Sequence, residues 1–269
     1  MRTLVHLSDL HFGRVDNRTL QPLATLIASL RPHVVVVSGD LTQRARRRQF
    51  QEARAFLDSL PRPQIVVPGN HDVPLLNLWR RFVSPLKRFR SVIGPDVEPF
   101  YVDEEIAVVG FNTARSFTWK AGRLNEEQLE KARERLAPLS PSLVKIVVTH
   151  HPFDVPPGGD EDDVVGRSRQ AMAAFASAGV DLFLSGHLHV SHIARTADRY
   201  PLEGRSALVI HAGTATSNRH RHEGNSFNVL RLEAETLALV RFDWIPDRGT
   251  FLPKPEERYV RGTRGWDAA

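Results

Sequence analysis

Short apolar runs rich in β-branched residues recur along the chain, at 4–7, 34–37, 65–67, 106–109, 144–148, 182–184 and 208–210. Each has the length of a strand. Helical patterns lie between them. Residues 19–30 place Leu20, Leu23, Ile27 and Leu30 on one face, and 49–60 do the same with Phe50, Ala53, Phe56, Leu57 and Leu60. The helix predicted over 125–136 opens on Asn125 as N-cap, with glutamates in its first turn that suit the helix dipole. A further helix over 168–178 is ended by Gly179. Strands alternating with helices predict an α/β domain. From about residue 205 the pattern turns strand-like, with a hairpin predicted from 227–232 and 237–244 around residues 233–236. Residues 1–245 are expected to form one domain, and 246–269, with their prolines, glycines and charges, an irregular tail.

Composition narrows the setting. Of the 269 residues 41% are apolar and 25% charged, ordinary for a soluble globular protein. With no cysteine, disulfides and thiolate metal sites are excluded, and a reducing cytosol suits the chain. The first apolar run is too short for a signal peptide, and no run approaches the roughly 20 apolar residues of a membrane helix. A cytoplasmic protein with no membrane span is expected. The net charge of +5 reads first as a solubility surface; it would also attract phosphorylated substrates, but it is too weak to imply an obligate nucleic acid partner.

The chemistry follows the apolar runs. Residues 4–7 lead to Asp9 and His11, 34–37 to Gly39 and Asp40, and 65–67 to Gly69-Asn70-His71-Asp72. Residues 144–148 lead to His150-His151-Pro152, and 182–184 to Gly186-His187-Leu188-His189. In open α/β sheets ligands bind beyond the carboxyl ends of strands, where loops distant in sequence converge. Glycine before a polar residue permits a sharp turn and close approach. Asp9 and His11 are two apart, as are His187 and His189. In extended backbone that spacing sends both side chains to one face, which suits paired metal ligands. Each piece alone is weak; together they leave little room for a purely structural role, because buried polar clusters are costly.

This series resembles the calcineurin-like metallophosphoesterases over residues 9–189. The Ser8-Asp9-Leu10-His11-Phe12-Gly13 opening and the His-His-Pro element are similar to those of bacterial class III cyclic-nucleotide phosphodiesterases. The resemblance implies a four-layer α/β/β/α sandwich with a dinuclear metal site at the strand C-terminal ends. Asp9, His11, Asp40 and His189 would hold one divalent ion and Asp40, Asn70, His150 and His187 the other, with Asp40 bridging. A hydroxide activated between the ions would then attack phosphorus. His150 is taken as ligand over His151 by similarity to the family; neighbours on a strand face opposite ways, so the pair leaves a real ambiguity. Nitrogen and oxygen donors without sulfur suit manganese, iron, zinc or cobalt, and affinity order alone selects none of them; manganese or iron is expected.

His71 is the candidate catalytic residue for the leaving oxygen, with Asp72 expected to orient it. Arg14, Asn112, His151 and Arg219 are candidate substrate contacts. The arginine run at 44–48 reads chiefly as a solvated face, and the acidic loop at 160–163 as a lid or a functionless mobile segment. The expected activity is hydrolysis of a small phosphodiester, cyclic nucleotides foremost. Phosphomonoesterase, nucleotide-lipid pyrophosphatase and nuclease are alternatives with the same site. A non-enzymatic scaffold is disfavoured because every expected ligand position carries a ligating residue type.

Overall fold

Residues 34–37 are four consecutive valines, and all are buried because the strand they form is covered on both faces. Val35 and Val37 join a core with Leu23 and Ile27 of α1 (Asn17–Leu30) and Phe50 and Leu57 of α2 (Arg47–Asp58). Val34 and Val36 face the other way, into a core with Val108, Ile146 and Leu184. The partner strand at 106–110 repeats this alternation. Ile106 and Val108 enter the shared middle core, while Ala107 and Val109 pack with Leu129 and Leu136 of one helix and Met172 and Phe175 of another. Three apolar layers therefore separate four layers of secondary structure. This is the expected α/β/β/α sandwich.

The protein is described here by a computed structural model covering residues 1–116, 120–200, 206–218 and 223–269. Its strands are β1 (Arg2–Leu7), β2 (Val34–Val37), β3 (Gln64–Val66), β4 (Phe100–Val102), β5 (Ile106–Gly110), β6 (Val144–Val148) and β7 (Leu182–Ser185). They continue with β8 (His192–Arg195), β9 (Leu208–His211), β10 (Ser226–Leu232), β11 (Thr236–Ile245), β12 (Thr250–Pro253), β13 (Glu257–Gly262) and β14 (Gly265–Ala268). One sheet runs β14-β13-β11-β10-β1-β2-β3, with β12 paired to β11; the other runs β4-β5-β6-β7-β9-β8. β1, β2 and β3 are parallel, as are β5, β6, β7 and β9. Helices α3 (Leu78–Val83) and α4 (Lys87–Val92) follow β3, while α5 (Glu126–Leu136) and α6 (Ser168–Ser177) cover the second sheet.

Local signals hold where they were strong. Asn125 caps α5 by accepting from the Gln128 amide at 2.8 Å, and Gln128 Oε1 accepts from the Asn125 amide in return. The hairpin of β10 and β11 pairs Leu232 with Leu237. The segment 246–269 corrects the expectation of an irregular tail: it supplies β12, β13 and β14. Trp266 is buried in the core between the sheets, and the Arg261 guanidinium meets Asp181 at 2.7 Å, both nearly inaccessible. β13 lies one strand in from the edge, between β11 and β14, and is held there by backbone pairing, so its charged Glu257, Arg258 and Arg261 hide it from an apolar pattern. Among the described residues no helix is long and apolar enough to cross a membrane.

Candidate metal centre

Asp9 and His11 follow β1, Asp40 follows β2, and Asn70 opens the turn after β3, all in the first sheet. His150 follows β6, and His187 and His189 follow β7, in the second. Parallel pairing puts the carboxyl ends of each set at one edge, and there the two sets meet. The Asp9 carboxylate accepts from the His187 amide at 3.0 Å, and the His150 Nδ1–H donates to the Ser38 carbonyl at 2.8 Å.

The backbone that carries these groups is not extended. Asp9, His11, Asp40, His187 and His189 all have φ between 49° and 73°. The shared face expected of an extended Asp-x-His or His-x-His is therefore replaced by successive left-handed turns. L-residues adopt this region at a cost of order 1 kcal/mol each, sustained only where surrounding structure enforces it. Close approach completes the picture. A Cβ on Gly69 would lie 2.1 Å from Asp40 Oδ1, and one on Gly186 would lie 1.7 Å from Ser8 Oγ and 2.5 Å from Asp9 Oδ2. Only glycine fits either position.

Two groups of acceptor atoms result, one on each side of Asp40. On the first side His11 Nε2 lies 3.2 Å from His189 Nε2, 3.5 Å from Asp9 Oδ1 and 3.7 Å from Asp40 Oδ2. His189 Nε2 is 3.2 Å from Asp9 Oδ1. That oxygen is buried with no hydrogen-bond donor among the described residues. On the second side His150 Nε2 lies 3.1 Å from Asn70 Oδ1, 3.3 Å from His187 Nδ1 and 3.4 Å from Asp40 Oδ1. Because His150 Nδ1 gives its proton to a carbonyl, its Nε2 is the nitrogen left to face these atoms, and it offers them a lone pair where a metal ion replaces the second ring proton. Lone pairs facing lone pairs in a buried site repel unless a cation lies between them. The donor set thus fits divalent ions, with nitrogen and oxygen ligands of the kind transition metals take.

The electrostatics agree. Burial pushes His11 and His187 below the ordinary histidine range, against Asp9 and Asp40 at the first ring and chiefly Asp163 at the second. At His150 burial acts in the same direction, but the charge and hydrogen bond of Asp40 outweigh it and raise the ring to about 9. Burial would raise Asp9 and Asp40; the histidines around them hold both below the usual carboxylate range. The field at the centre therefore favours positive charge.

His71 is the partly open histidine at this edge. Its Nδ1–H donates to the Gln43 carbonyl at 3.0 Å, and its Nε2 lies 4.0 Å from Asp40 Oδ2. Asp72 does not orient it. The Asp72 carboxylate accepts from the amides of Leu41, Thr42 and Gly69 and from the Thr42 hydroxyl, so its oxygens are committed to fixing the Asp40 turn. His151 is also spent internally. Its Nε2–H donates to the Lys120 carbonyl at 2.9 Å and its Nδ1 accepts from Thr113 Oγ1 at 2.7 Å, which leaves neither nitrogen for substrate or metal. Asn112 Oδ1 accepts from the Ala114 amide, a turn bond, and the side chain lines a cleft with Arg115 and Lys87. Arg14 is exposed and lines a separate cleft with Phe12, Arg48 and Asn218. Arg219 lies outside the described residues.

One carboxylate was missed. Asp163 Oδ1, from the acidic loop, lies 3.4 Å from His187 Nε2 and 2.7 Å from Lys120 Nζ. Its sequence signal is slight: of the acids at 160–163 it is the one that abuts the valines at 164 and 165, and Val165 is buried.

Comparison with known proteins follows the same lines. The family profile described as calcineurin-like phosphoesterase matches residues 2–191. The 3′,5′-cyclic adenosine monophosphate phosphodiesterase CpdA of Escherichia coli is 26% identical over 193 residues, 66% of this chain and 64% of that protein. The glycerophosphodiester phosphodiesterase GpdQ of Enterobacter lignolyticus is 38% identical over 81 residues, 26% of this chain and 29% of that one. The chain thus spans less than two thirds of the length of these curated relatives. Among solved structures, a purple acid phosphatase from yellow lupin superposes with a TM-score of 0.67 at 14% identity, over 94% of this chain and 52% of that one. A dimetal phosphatase from Danio rerio gives 0.63 at 16% identity, over 94% and 98%. These two likenesses bear on the fold.

Proposed function

The chain belongs to the calcineurin-like phosphoesterase family, and we propose that it hydrolyses small phosphodiesters with two divalent ions, cyclic nucleotides being the foremost substrate class. The observation that carries this reading is the Asp40 carboxylate, whose Oδ2 faces His11 while its Oδ1 faces His150. One side chain is shared by two acceptor groups, each otherwise built from its own residues. Asp9 Oδ1, His11 Nε2, His189 Nε2 and Asp40 Oδ2 would hold one ion. Asp40 Oδ1, Asn70 Oδ1, His150 Nε2 and His187 Nδ1 would hold the other. Once bound, such ions supply Lewis acidity, polarising a phosphoryl oxygen and making solvent water a stronger nucleophile. The donors suit manganese, iron, zinc or cobalt, of which manganese and iron are the ions proposed.

The remaining work falls to the chain itself. The Gln43 carbonyl fixes the His71 ring through Nδ1–H, which aims Nε2 toward the open edge. From there His71, with its ring protonated at both nitrogens, would give the Nε2 proton to the leaving oxygen of the ester and keep the Nδ1 proton on the Gln43 carbonyl. Ser8 Oγ and the His187 amide hold Asp9 Oδ2, leaving Oδ1 aimed inward. The diester preference leans on the similarity to two relatives named as diesterases.

A substrate panel on metal-loaded protein tests this. It should compare an aryl phosphodiester, an aryl phosphomonoester, 3′,5′- and 2′,3′-cyclic nucleotides, nucleoside diphosphate lipids and single-stranded DNA. Diester cleavage should exceed monoester cleavage. A preference for monoesters would reject the diesterase reading, and protein that retains no stoichiometric metal would reject the enzyme.

A further inference from the structure

The stretch from Val73 to Pro95 contains no aspartate or glutamate and five cations: Arg80, Arg81, Lys87, Arg88 and Arg90. It also carries most of the exposed large hydrophobic residues among those described. Leu76 and Trp79 are 85% and 77% exposed, with Leu78, Phe82 and Val83 exposed beside them. A soluble protein rarely presents so dense an apolar face without using it. The face is also held in place. Buried Arg81 donates to the Ser116 carbonyl at 2.7 Å and to the Pro74 carbonyl at 3.2 Å, pinning α3 to the body of the molecule.

Charge gathers at the same place. Trp79 and Pro74 line a cleft of about 650 Å³ with Arg47, Arg80, Lys87 and Arg88, and no carboxylate lies among its described lining residues. Arg88 reaches from α4 to the Ala45 carbonyl, so the arginine run at 44–48 joins this patch. Aliphatic groups, a tryptophan and cations on one surface match the water–membrane boundary of an anionic bilayer. There the apolar groups and the indole ring sit among the acyl chains and headgroups, while the cations meet lipid phosphates. A second copy of the chain fits less well, because a two-fold contact through this face would set like cations against one another.

We propose that the α3–α4 face docks the protein on anionic phospholipid membranes, with Leu76, Leu78, Trp79 and Val83 entering the interface and Arg47, Arg80, Lys87 and Arg88 contacting headgroups. The docking surface stands apart from the metal-centre chemistry. It begins five residues after His71, at most about 18 Å along the chain.

The test is co-sedimentation of full-length, metal-loaded protein with vesicles of phosphatidylcholine alone or with about 30% phosphatidylglycerol. Binding should be at least about tenfold stronger to the anionic vesicles and should weaken at high salt. The double variant Leu76→Ser/Trp79→Ser, which replaces exposed groups, should lose about tenfold in partition with unchanged thermal unfolding and metal content. Arg80→Glu/Lys87→Glu should lose it as well. Wild-type protein that ignores anionic vesicles, or a serine variant that binds them equally, overturns the proposal. So does sedimentation velocity showing a wild-type dimer that the serine variant dissolves, which would assign the face to a second copy. Binding to soluble polyglutamate but not to vesicles would assign it to an acidic protein.

Discussion

Replacing Asp40 by alanine removes an oxygen from both acceptor groups at once, so both ions should be lost together with activity. His71→Ala should behave differently. Its ring lies 4.0 Å from Asp40 and is held by the Gln43 carbonyl, so turnover should fall by about 10²–10⁴-fold while most of the metal stays. Elemental analysis of both variants beside their rates separates the roles; equal metal loss in both would overturn the one given to His71. Asp163→Asn probes the carboxylate beside His187. A carboxylate on the far nitrogen orients a ligating ring, and losing it should weaken one ion by about 10–100-fold. Competition titration with a chelator would show one weakened site and one unchanged; two unchanged sites would make Asp163 a mere loop anchor. The candidate ligand types could be read in the sequence because they follow apolar runs. The partners of His71 and His151 could not, since Gln43, Lys120 and Thr113 are carried by distant segments that only the packed chain brings near.

At the scale of elements, strands whose two faces are both covered spell themselves out: β2 is valine throughout, and β6 is broken only by Lys145, whose ammonium donates to the Leu136 and Ala178 carbonyls. The turns that follow them do not. Left-handed φ at Asp9, Asp40 and His187 has only a weak local sign, since aspartate and histidine enter that region more often than most non-glycine residues but are far from confined to it. The turn between β4 and β5 offers a test of how one such element is held. Asp103 accepts from the amides of Glu105 and Ile106, from Tyr101 Oη and from Arg2 Nε of β1, linking an edge of one sheet to the other. Burial would raise this carboxyl, but those donors bring it down to about 2. A depressed carboxyl stabilises the fold above its unfolded value and loses that contribution as pH falls through its folded one. Asp103 should therefore add about 1–2 kcal/mol at neutral pH, nearer the lower figure given the water that reaches it, and lose it between about pH 4 and pH 2. Asp103→Asn should be less stable at pH 7 and show a shallower decline across that window in urea titrations. An unchanged decline would place the acid sensitivity elsewhere.

The whole molecule assembles its candidate site from two sheets, so anything that holds the sheets together also holds the candidate metal centre. The terminal strands do this at a distance. Trp266 of β14 fills the core between the sheets, and Arg261 of β13 pairs with Asp181 just before β7, the strand that carries His187 and His189. Trp266→Ala should cost about 3–5 kcal/mol, the usual loss for a large aromatic removed from a close-packed core. Trp266→Phe should cost less. Since ions would bind only where both sheets contribute ligands, saturating metal should stabilise the wild type and Trp266→Ala alike by mass action, and chelation should lower both while leaving the difference between them. Urea midpoints measured with and without manganese would show both effects. A cost below about 1 kcal/mol for Trp266→Ala would mean that the middle core closes without β14. Manganese that stabilises neither protein would mean that the paired acceptor groups around Asp40 do not take up the ion in the native fold.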